Sequence, residues 1–470
     1  MKIFKNFIGL AAMALCLGFA SCSSDDDAPS YSGGAIDNSP LKALLESKGY
    51  TFDENGKLLL DDKANSTISL DLSGTQVDTA ALKELSVFPN LKELNLSNNG
   101  YGETFDFSVL PAQITGIDIT NNDIYNYDNL VKVTVEENGD ETVENLHNIT
   151  KLYLPKDAKY NIAQLMRFYR QNKSAIDGGT MDVEMQNANG GLEKYNTLRE
   201  IPDASLREYL KTQFSDLFDG DKLNIYKHLG NTQKINPLSI GEYQEVESVE
   251  SLEGIEYIIN NPYWEGAVLA IMPTTKVDFP KNINIPSTVV RLGLKNLNFL
   301  DGLNITQANY LTYVYLENLD NVESLDFSHT TNFLQRGSDV EYDEGEGSKL
   351  YVLNCPELKN IIFPNAEKLA ANEIDLEYLL KLEKCDLSKF YMICNFSLGD
   401  LATSYNLVYP NLTEHKGGPR ENKTYFACSQ STYDRTSTKD FIDKYYTNAS
   451  PKCLSKSGSL RSSLNKGIRW

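Results

Sequence analysis

A short apolar motif recurs along the chain at nearly constant spacing and constrains the fold more than any other feature. Its central positions in the first half are Leu70, Leu94 and Ile117, which lie 24 and 23 residues apart. The next position, Leu152, follows after 35 residues, a step long enough to hold an insertion around 136–145. A period of this size predicts units that bury their apolar faces against one another.

A second series follows residue 240. Leu269, Leu292 and Val314 lie 23 and 22 residues apart, and a further unit surrounds Leu350. The acidic stretch 337–348 before that unit is typical of a solvated loop insertion, and weak cation binding by its carboxylates is the alternative. Later segments are repeat-like but ambiguous in register: 361–363, 374–376 and 382–387.

The two clearest units are 91–99 (LKELNLSNN) and 114–122 (ITGIDITNN). They resemble leucine-rich repeats, in which the alternating apolar residues of a short strand point inward and an asparagine satisfies backbone groups of adjacent coils. The resemblance implies an α/β (mixed) leucine-rich-repeat solenoid with parallel β-sheets. Unrelated strands in an ordinary β fold are the alternative.

Each series has a similar lead-in, which predicts two tandem repeat domains, each with a helical N-terminal cap. Ser39 and Pro40 suit the start of a helix that runs to Lys48, and 201–205 opens a second helix. Both helices lead into acidic glycine turns, Asp53-Glu54-Asn55-Gly56 and Asp219-Gly220-Asp221, which lack the ligand spacing of a calcium-binding EF-hand. The predicted divisions are a first domain at 37–173, a linker at 174–200, a second domain at 201–453 and a basic tail at 454–470.

The N-terminus resembles a bacterial lipoprotein signal. Basic residues precede an apolar run that is too short to span a membrane, and the run ends at Ser21-Cys22. The acidic residues after Cys22 resemble the export tag of surface lipoproteins in Bacteroides-type bacteria. This implies a signal peptide at 1–21, a lipid on Cys22 and an acidic tether at 22–36. A cleaved soluble signal with an incidental Cys22 is the alternative.

Charge and cysteine content narrow the function. The chain has 65 acidic and 44 basic residues, a net charge of −21, which argues against nucleic acid or an anionic membrane surface as partner. The cysteines are too few for a disulfide framework, and Cys428 with Cys453 is the pair that suggests a bridge. The histidines are scattered, and the sequence contains no catalytic, metal-binding or cofactor motif.

The candidate binding residues are the outward-facing side chains between the apolar positions of each strand. Outward residues of neighbouring parallel strands form a row on the sheet, and tyrosine is favoured at interfaces. We expect these residues to form a concave recognition face: Asp71, Asn95, Asp118 and Tyr153 in the first domain, and Arg291, Tyr313, Tyr315 and Tyr351 in the second.

Segment 248–257 (SVESLEGIEY) is similar to a lead-in of Bacteroides-type leucine-rich-repeat surface lipoproteins, which are adhesin-like. The resemblance implies an outer-membrane, lipid-anchored, outward-facing protein that binds a protein or glycoconjugate without catalysis. The alternative is an accessory or structural subunit of an outer-membrane assembly, which a stoichiometric membrane partner would distinguish. A carbohydrate-active enzyme is the third possibility. The sequence identifies neither the ligand nor the oligomeric state.

Overall fold

The computed structural model describes residues 29–136, 141–241, 249–335, 347–401, 406–413 and 425–445. In these ranges the protein is a mixed α/β structure with mostly parallel sheets and few helices. The coarse fold class therefore agrees with the sequence. The leucine-rich-repeat solenoid goes further than this topology and stays a prediction.

The strands are short and the helices few. Up to residue 199 the elements are β1 (Tyr31–Ala35), α1 (Ser39–Ser47), β2 (Lys57–Leu59), α2 (Asp62–Ser66), β3 (Ser69–Asp71), β4 (Glu93–Asn95), β5 (Thr104–Asp106), β6 (Gly116–Asp118), β7 (Asn126–Asp128), β8 (Val131–Val135), β9 (Glu141–Asn145), β10 (Lys151–Leu154), α3 (Gln164–Asp177), β11 (Asp182–Gln186), β12 (Leu192–Lys194) and β13 (Leu198–Arg199). Short 3-10 helices connect them at Thr79–Val87, Phe107–Val109 and Lys156–Tyr160.

The second half contains longer strands. Its elements are α4 (Ala204–Gln213), β14 (Phe218–Asp219), β15 (Lys222–Asn224), β16 (Leu238–Gly241), α5 (Glu256–Ile259), β17 (Val268–Met272), β18 (Val277–Phe279), β19 (Arg291–Phe299), β20 (Tyr313–Asp320), β21 (Ser324–Asp326), β22 (Lys349–Leu353), β23 (Asn360–Ile362), β24 (Leu369–Glu377), β25 (Lys384–Asp386), β26 (Phe390–Leu398), β27 (Asn406–Val408), β28 (Tyr425–Cys428), α6 (Gln430–Tyr433) and α7 (Thr436–Tyr445). A 3-10 helix at Ser215–Leu217 joins α4 to β14.

The first sheet has the order β12-β11-β10-β6-β4-β3, and every pairing except β11 with β12 is parallel. The predicted repeat positions Leu70, Leu94, Ile117 and Leu152 lie directly opposite one another in successive strands and are buried. The predicted repeat spacing therefore corresponds to the register of the strands, because each strand contributes one apolar residue to the same inward row.

The second sheet has the order β16-β17-β19-β20-β22-β24-β26-β28, with β18 pairing beside β19. Its inward row runs through Leu269, Leu292, Val314, Leu350 and Ile374, in strands that are all parallel. The strands between residues 361 and 387, whose register is ambiguous in the sequence, belong to two different sheets. Ile374 lies in the main sheet, whereas Ile361 and Cys385 lie in a smaller parallel sheet of order β21-β23-β25-β27.

Asparagine side chains hold the turns of the first unit together. Asn99 is buried, its Oδ1 accepts hydrogen bonds from the backbone N–H of Thr75 (3.0 Å) and Gln76 (2.6 Å), and its Nδ2 donates to the carbonyls of Leu72 and Leu96. These bonds connect two turns that are separated by 24 residues. Asn99 thereby satisfies backbone groups that the turns leave unpaired.

The N-terminal prediction needs two corrections. The predicted tether 22–36 includes β1, which pairs antiparallel with β2, and Ile36 is buried. The first helix is capped by Asn38 and not by Ser39, because Oδ1 of Asn38 accepts the N–H of Leu41 at 2.9 Å. The chain is therefore already packed against the first unit before the helix begins.

The second predicted helix, α4, starts where the sequence predicts. Asp203 is the N-cap of α4, and its Oδ1 accepts the N–H of Leu206 at 2.9 Å. The acidic glycine turns are tight turns in the structure, with positive φ at Gly56 and Gly220. This is the turn interpretation that the sequence favoured over calcium loops.

The predicted linker 174–200 is wrong for its central part. Residues 182–186 form β11, which adds to the first sheet in parallel beside β10 with Val183 opposite Leu152, and β12 follows as a hairpin partner. The sequence signal was weak because glycines and asparagines flank a single short alternation of polar and apolar residues. The helix before it, α3, also runs on to Asp177, within the predicted linker.

Helix α3 lies between two hydrophobic clusters. Leu165 and Phe168 belong to the cluster of the first unit, whereas Met166 belongs to the cluster of the second. The insertion predicted around 136–145 contains β9, which pairs antiparallel with β8. Glu141 on β9 pairs with Arg167 of α3 and accepts a hydrogen bond from the hydroxyl of Tyr263. The helix therefore packs into both apolar cores.

Several sequence predictions lie outside the described residues. They are the signal peptide at 1–21, lipidation of Cys22, most of the acidic loop at 337–348, the bridge partner Cys453 and the basic tail at 454–470. Within the described ranges, no helix has the length and apolar character needed to cross a bilayer.

Candidate ligand-binding face

The four residues predicted on the first sheet lie in one row. Asp71, Asn95, Asp118 and Tyr153 are consecutive partners across β3, β4, β6 and β10. The prediction that they share a face is therefore correct in geometry. Their role as ligand-binding residues is a separate matter.

Three of these four side chains also accept a hydrogen bond from the backbone two residues further along the chain. Oδ1 of Asp71 accepts the N–H of Ser73, Oδ1 of Asn95 accepts that of Ser97, and Oδ1 of Asp118 accepts that of Thr120, each at 3.0 Å. A side chain that bonds the backbone two residues on stabilises the turn after its strand. The recurring pattern of Asp or Asn two residues before Ser or Thr was the sequence signal for this role.

Tyr153 belongs to a polar network on the same face. Its hydroxyl donates to Oδ2 of Asp182 at 2.9 Å, and Nζ of Lys151 lies 5.2 Å from its ring centroid. Lys151 also forms a 2.9 Å ion pair with Glu93. Burial raises the pKa of Tyr153 above its ordinary value, and the Asp182 carboxylate raises it further. The polar side chains at the centre of this face therefore bind one another within the sheet.

The predicted residues of the second sheet occupy two neighbouring rows. Arg291 lies opposite Tyr313 in one row, and Tyr315 lies opposite Tyr351 in the next. The guanidinium carbon of Arg291 is 5.2 Å from the ring centroid of Tyr313, and the ring of Tyr351 lies 5.7 Å from those of both Tyr313 and Tyr315. All four side chains are half-buried. The structure therefore brings them into one aromatic cluster.

Sequence reasoning missed an acidic group beside these tyrosines. Glu373, Asp375 and Glu377 alternate along β24, and Glu317 lies on β20; all four are buried. Asp375 is the register partner of Tyr351, and Glu373 is that of Lys349. The alternation of three acids with inward apolar residues was visible in the sequence, but the register of this segment was ambiguous.

Tyrosine hydroxyls and lysines contact part of this acidic group. Tyr351 donates to Oε2 of Glu373 at 2.5 Å, and Tyr315 donates to Oε2 of Glu317. Nζ of Lys349 lies 3.9 Å from Glu373, and Nζ of Lys295 lies 3.7 Å from Glu317. These contacts neutralise the two acids that flank the aromatic cluster.

The protonation states reflect this burial. Burial raises the pKa of Glu373, an effect that the Tyr351 hydrogen bond and Lys349 partly oppose. Burial also raises the pKa of Asp375 well above its ordinary value, and the carboxylates of Glu377 and Glu373 add to that increase. Burial also raises the pKa of Tyr351. The negative charge of Glu373 adds to this increase, because it disfavours an ionised phenolate beside it.

Other candidate chemistry is not assembled in this part of the molecule. No group of three or more His, Cys, Asp or Glu side chains among the described residues is arranged to hold a metal ion. Cys428 is buried in β28, and its predicted bridge partner Cys453 lies beyond the described ranges. Cys355 and Cys385 are buried within the apolar pattern, as expected of small apolar residues.

The second sheet thus carries an aromatic cluster beside buried carboxylates. Comparison with known proteins adds no identity to this description. No protein-family model matches the chain, and no curated protein matches it.

Proposed function

We propose that this protein is a cell-surface lipoprotein that recognises a protein or glycoconjugate partner without catalysis. In this proposal the parallel sheets belong to two tandem leucine-rich-repeat solenoid domains with helical caps. The outward rows of the two main sheets are then the concave recognition faces.

The observation that supports the proposal most is the register of the second sheet. Arg291, Tyr313, Tyr315 and Tyr351 come from strands that are neighbours in the sheet yet far apart in the chain. Strands of a sheet lie about 4.8 Å apart, so these three strands present a stripe on the order of 10–15 Å wide. Half-buried tyrosines on such a stripe offer apolar area with a polar tip to a partner.

The location is proposed from the N-terminal sequence. Cys22 carries the lipid, residues 1–21 are removed, and the acidic residues after Cys22 direct the protein to the outer face of the outer membrane. Brief protease treatment of intact cells tests this. We expect the protein to be cleaved from the cell surface while a periplasmic control protein survives, and protection of the chain would contradict outward display.

Binding is tested with the full chain in detergent and a panel of mucins, matrix proteins and glycans. We expect at least one of them to bind, and the double variant Arg291→Ala with Tyr315→Ala to reduce that binding about tenfold or more. The matched control is Tyr310→Ala with Lys389→Ala, which likewise removes one tyrosine and one basic residue, but from exposed positions. Equal binding by both double variants would exclude the face of the second sheet.

A further inference from the structure

Three carboxylates lie on one face of β24, and we call them the carboxylate row: Glu373, Asp375 and Glu377. They share a face because alternate residues of a strand point the same way. Their exposures are 8%, 3% and 6%. Three buried carboxylates this close to one another need positive charge to compensate their negative charge, either as bound protons or as a neighbouring cation.

The described residues supply that charge at one end of the row. Glu373 accepts a hydrogen bond from the Tyr351 hydroxyl and lies 3.9 Å from Nζ of Lys349. Asp375 has no such arrangement: its Oδ1 is buried without a hydrogen-bond partner, and no lysine or arginine of the described ranges forms an ion pair with it. The electrostatic neighbours that act on Asp375 are Glu373 and Glu377, both acids. A buried acceptor left in this condition destabilises the folded chain.

The surroundings of Asp375 suit an organic cation. Its register partner is Tyr351, and Tyr315 lies opposite Tyr351 on the next strand. Aromatic rings attract ammonium and guanidinium groups through their negative faces, and a carboxylate beside them strengthens the attraction. A metal ion fits less well, because the described acids have no metal-binding arrangement.

The same row carries small residues beside the tyrosines. Beyond Tyr315 it continues with Gly293 and Ala270, and beyond Asp375 it continues with Ser397 and Ala427. Gly293, Ala270 and Ala427 are buried, whereas the rings of Tyr315 and Tyr351 are half-buried and present surface to a ligand. A long side chain can lie with its methylene stem against those rings.

We propose that Asp375, with Tyr351 and Tyr315, is a subsite for a lysine or arginine side chain of a protein partner. The proposal rests on the recognition function proposed above and adds the chemistry of the ligand. The head group donates to Oδ1 of Asp375, and the stem packs on the tyrosine rings. A neutral glycan is the competing ligand class and is an outcome of the test.

The test uses the full chain in detergent, a fluorescent tetra-lysine peptide and the same peptide with every lysine acetylated. We expect the native chain to bind the charged peptide about tenfold or more tightly than the acetylated one. Asp375→Asn keeps the shape of the side chain but cannot ionise when a cation binds, and we expect it to lose most of that preference. Asp326→Asn is the matched control: it removes one charge from an exposed position on β21, in the smaller sheet.

The control is necessary because a chain of net charge −21 attracts any polycation. Equal loss in the two variants, or an unchanged preference in Asp375→Asn, would overturn the subsite. So would equal binding of the two peptides by the native chain. If Asp375→Asn does not give the native circular dichroism spectrum, Glu373→Gln of the same row takes its place with the same expected loss.

The result is independent of the wider proposal. A chain that binds a member of the mucin, matrix and glycan panel yet ignores lysine charge keeps the recognition function and excludes this subsite. Selective binding of a neutral glycan would assign the face to that ligand class instead. Failure to bind any member of the panel would remove the recognition function itself.

Discussion

The phenolic oxygen of Tyr351 lies 2.5 Å from Oε2 of Glu373, and the two residues come from adjacent strands of the second sheet. The hydroxyl is the donor, so the bond favours the ionised carboxylate and opposes the increase in pKa that burial causes at Glu373. The contact joins the predicted aromatic cluster to the carboxylate row that the sequence analysis missed.

Removing this donor is expected to destabilise the protein. Tyr351→Phe leaves Oε2 of Glu373 without the hydroxyl and should lower the free energy of unfolding by about 1–2 kcal/mol at neutral pH. Urea unfolding followed by circular dichroism measures the change. Tyr310→Phe, at an exposed position, is the control and should change stability by less than about 0.5 kcal/mol. Equal effects of the two substitutions would contradict the role given to this bond.

Glu256 is expected to make stability depend on pH. It is fully buried, its Oε2 accepts the N–H of Gly254 at 2.8 Å, and burial raises its pKa from 4.5 to about 7. Between these two values the unfolded chain releases a proton that the folded chain keeps. The free energy of unfolding should therefore fall as pH rises through this window, by about 2–3 kcal/mol, and this contribution should level off above pH 7.

Glu256→Gln tests this assignment because glutamine keeps the acceptor for Gly254 and cannot ionise. We expect the variant to lose most of the difference in stability between pH 4.5 and pH 7 that the native chain shows. Glu46→Gln on the exposed side of α1 should leave the difference unchanged. A variant at position 256 with the native pH profile would show that another group is responsible.

Gly241 is expected to tolerate no side chain. Its φ is +111°, and a Cβ built there would lie 1.7 Å from the carbonyl oxygen of Met272. Gly241→Ala should therefore destabilise the start of the second sheet by about 3 kcal/mol or more, through both the contact and the backbone strain. Gly102→Ala, where a Cβ meets nothing within 4 Å, should change the unfolding midpoint little. Similar midpoints for both variants would refute this account of Gly241.

Asn99 is expected to stabilise the turns of the first unit. Asn99→Ala removes the acceptor for Thr75 and Gln76 and the donor for Leu72 and Leu96, and all of these are backbone groups. We expect a loss of about 3 kcal/mol. Asn90→Ala removes a single bond to the carbonyl of Asn65 at an exposed position and should cost less than about 1 kcal/mol. Thermal unfolding of the two variants gives the comparison, and a small effect at Asn99 would contradict it.

Local pattern was sufficient for the repeat positions. Leu94 and Ile117 could be aligned from spacing alone, because a parallel sheet with one inward residue per short strand converts a chain period into a register. The same argument put Tyr315 and Tyr351 on one face of the second sheet, where the structure places them opposite each other. The sequence pattern failed to predict β11, because its one brief alternation of polar and apolar residues is flanked by glycines and asparagines and resembled a linker.

By itself the sequence determined the mixed α/β class, the predicted repeat positions, the helices α1 and α4 and the face on which the predicted residues lie. Only the tertiary structure decided that Asp375 stands against Tyr351, that Glu256 is buried and that α3 packs into both cores. The physical reason is range: periodicity and capping act within about one repeat, whereas burial and charge proximity depend on strands brought together from distant parts of the chain.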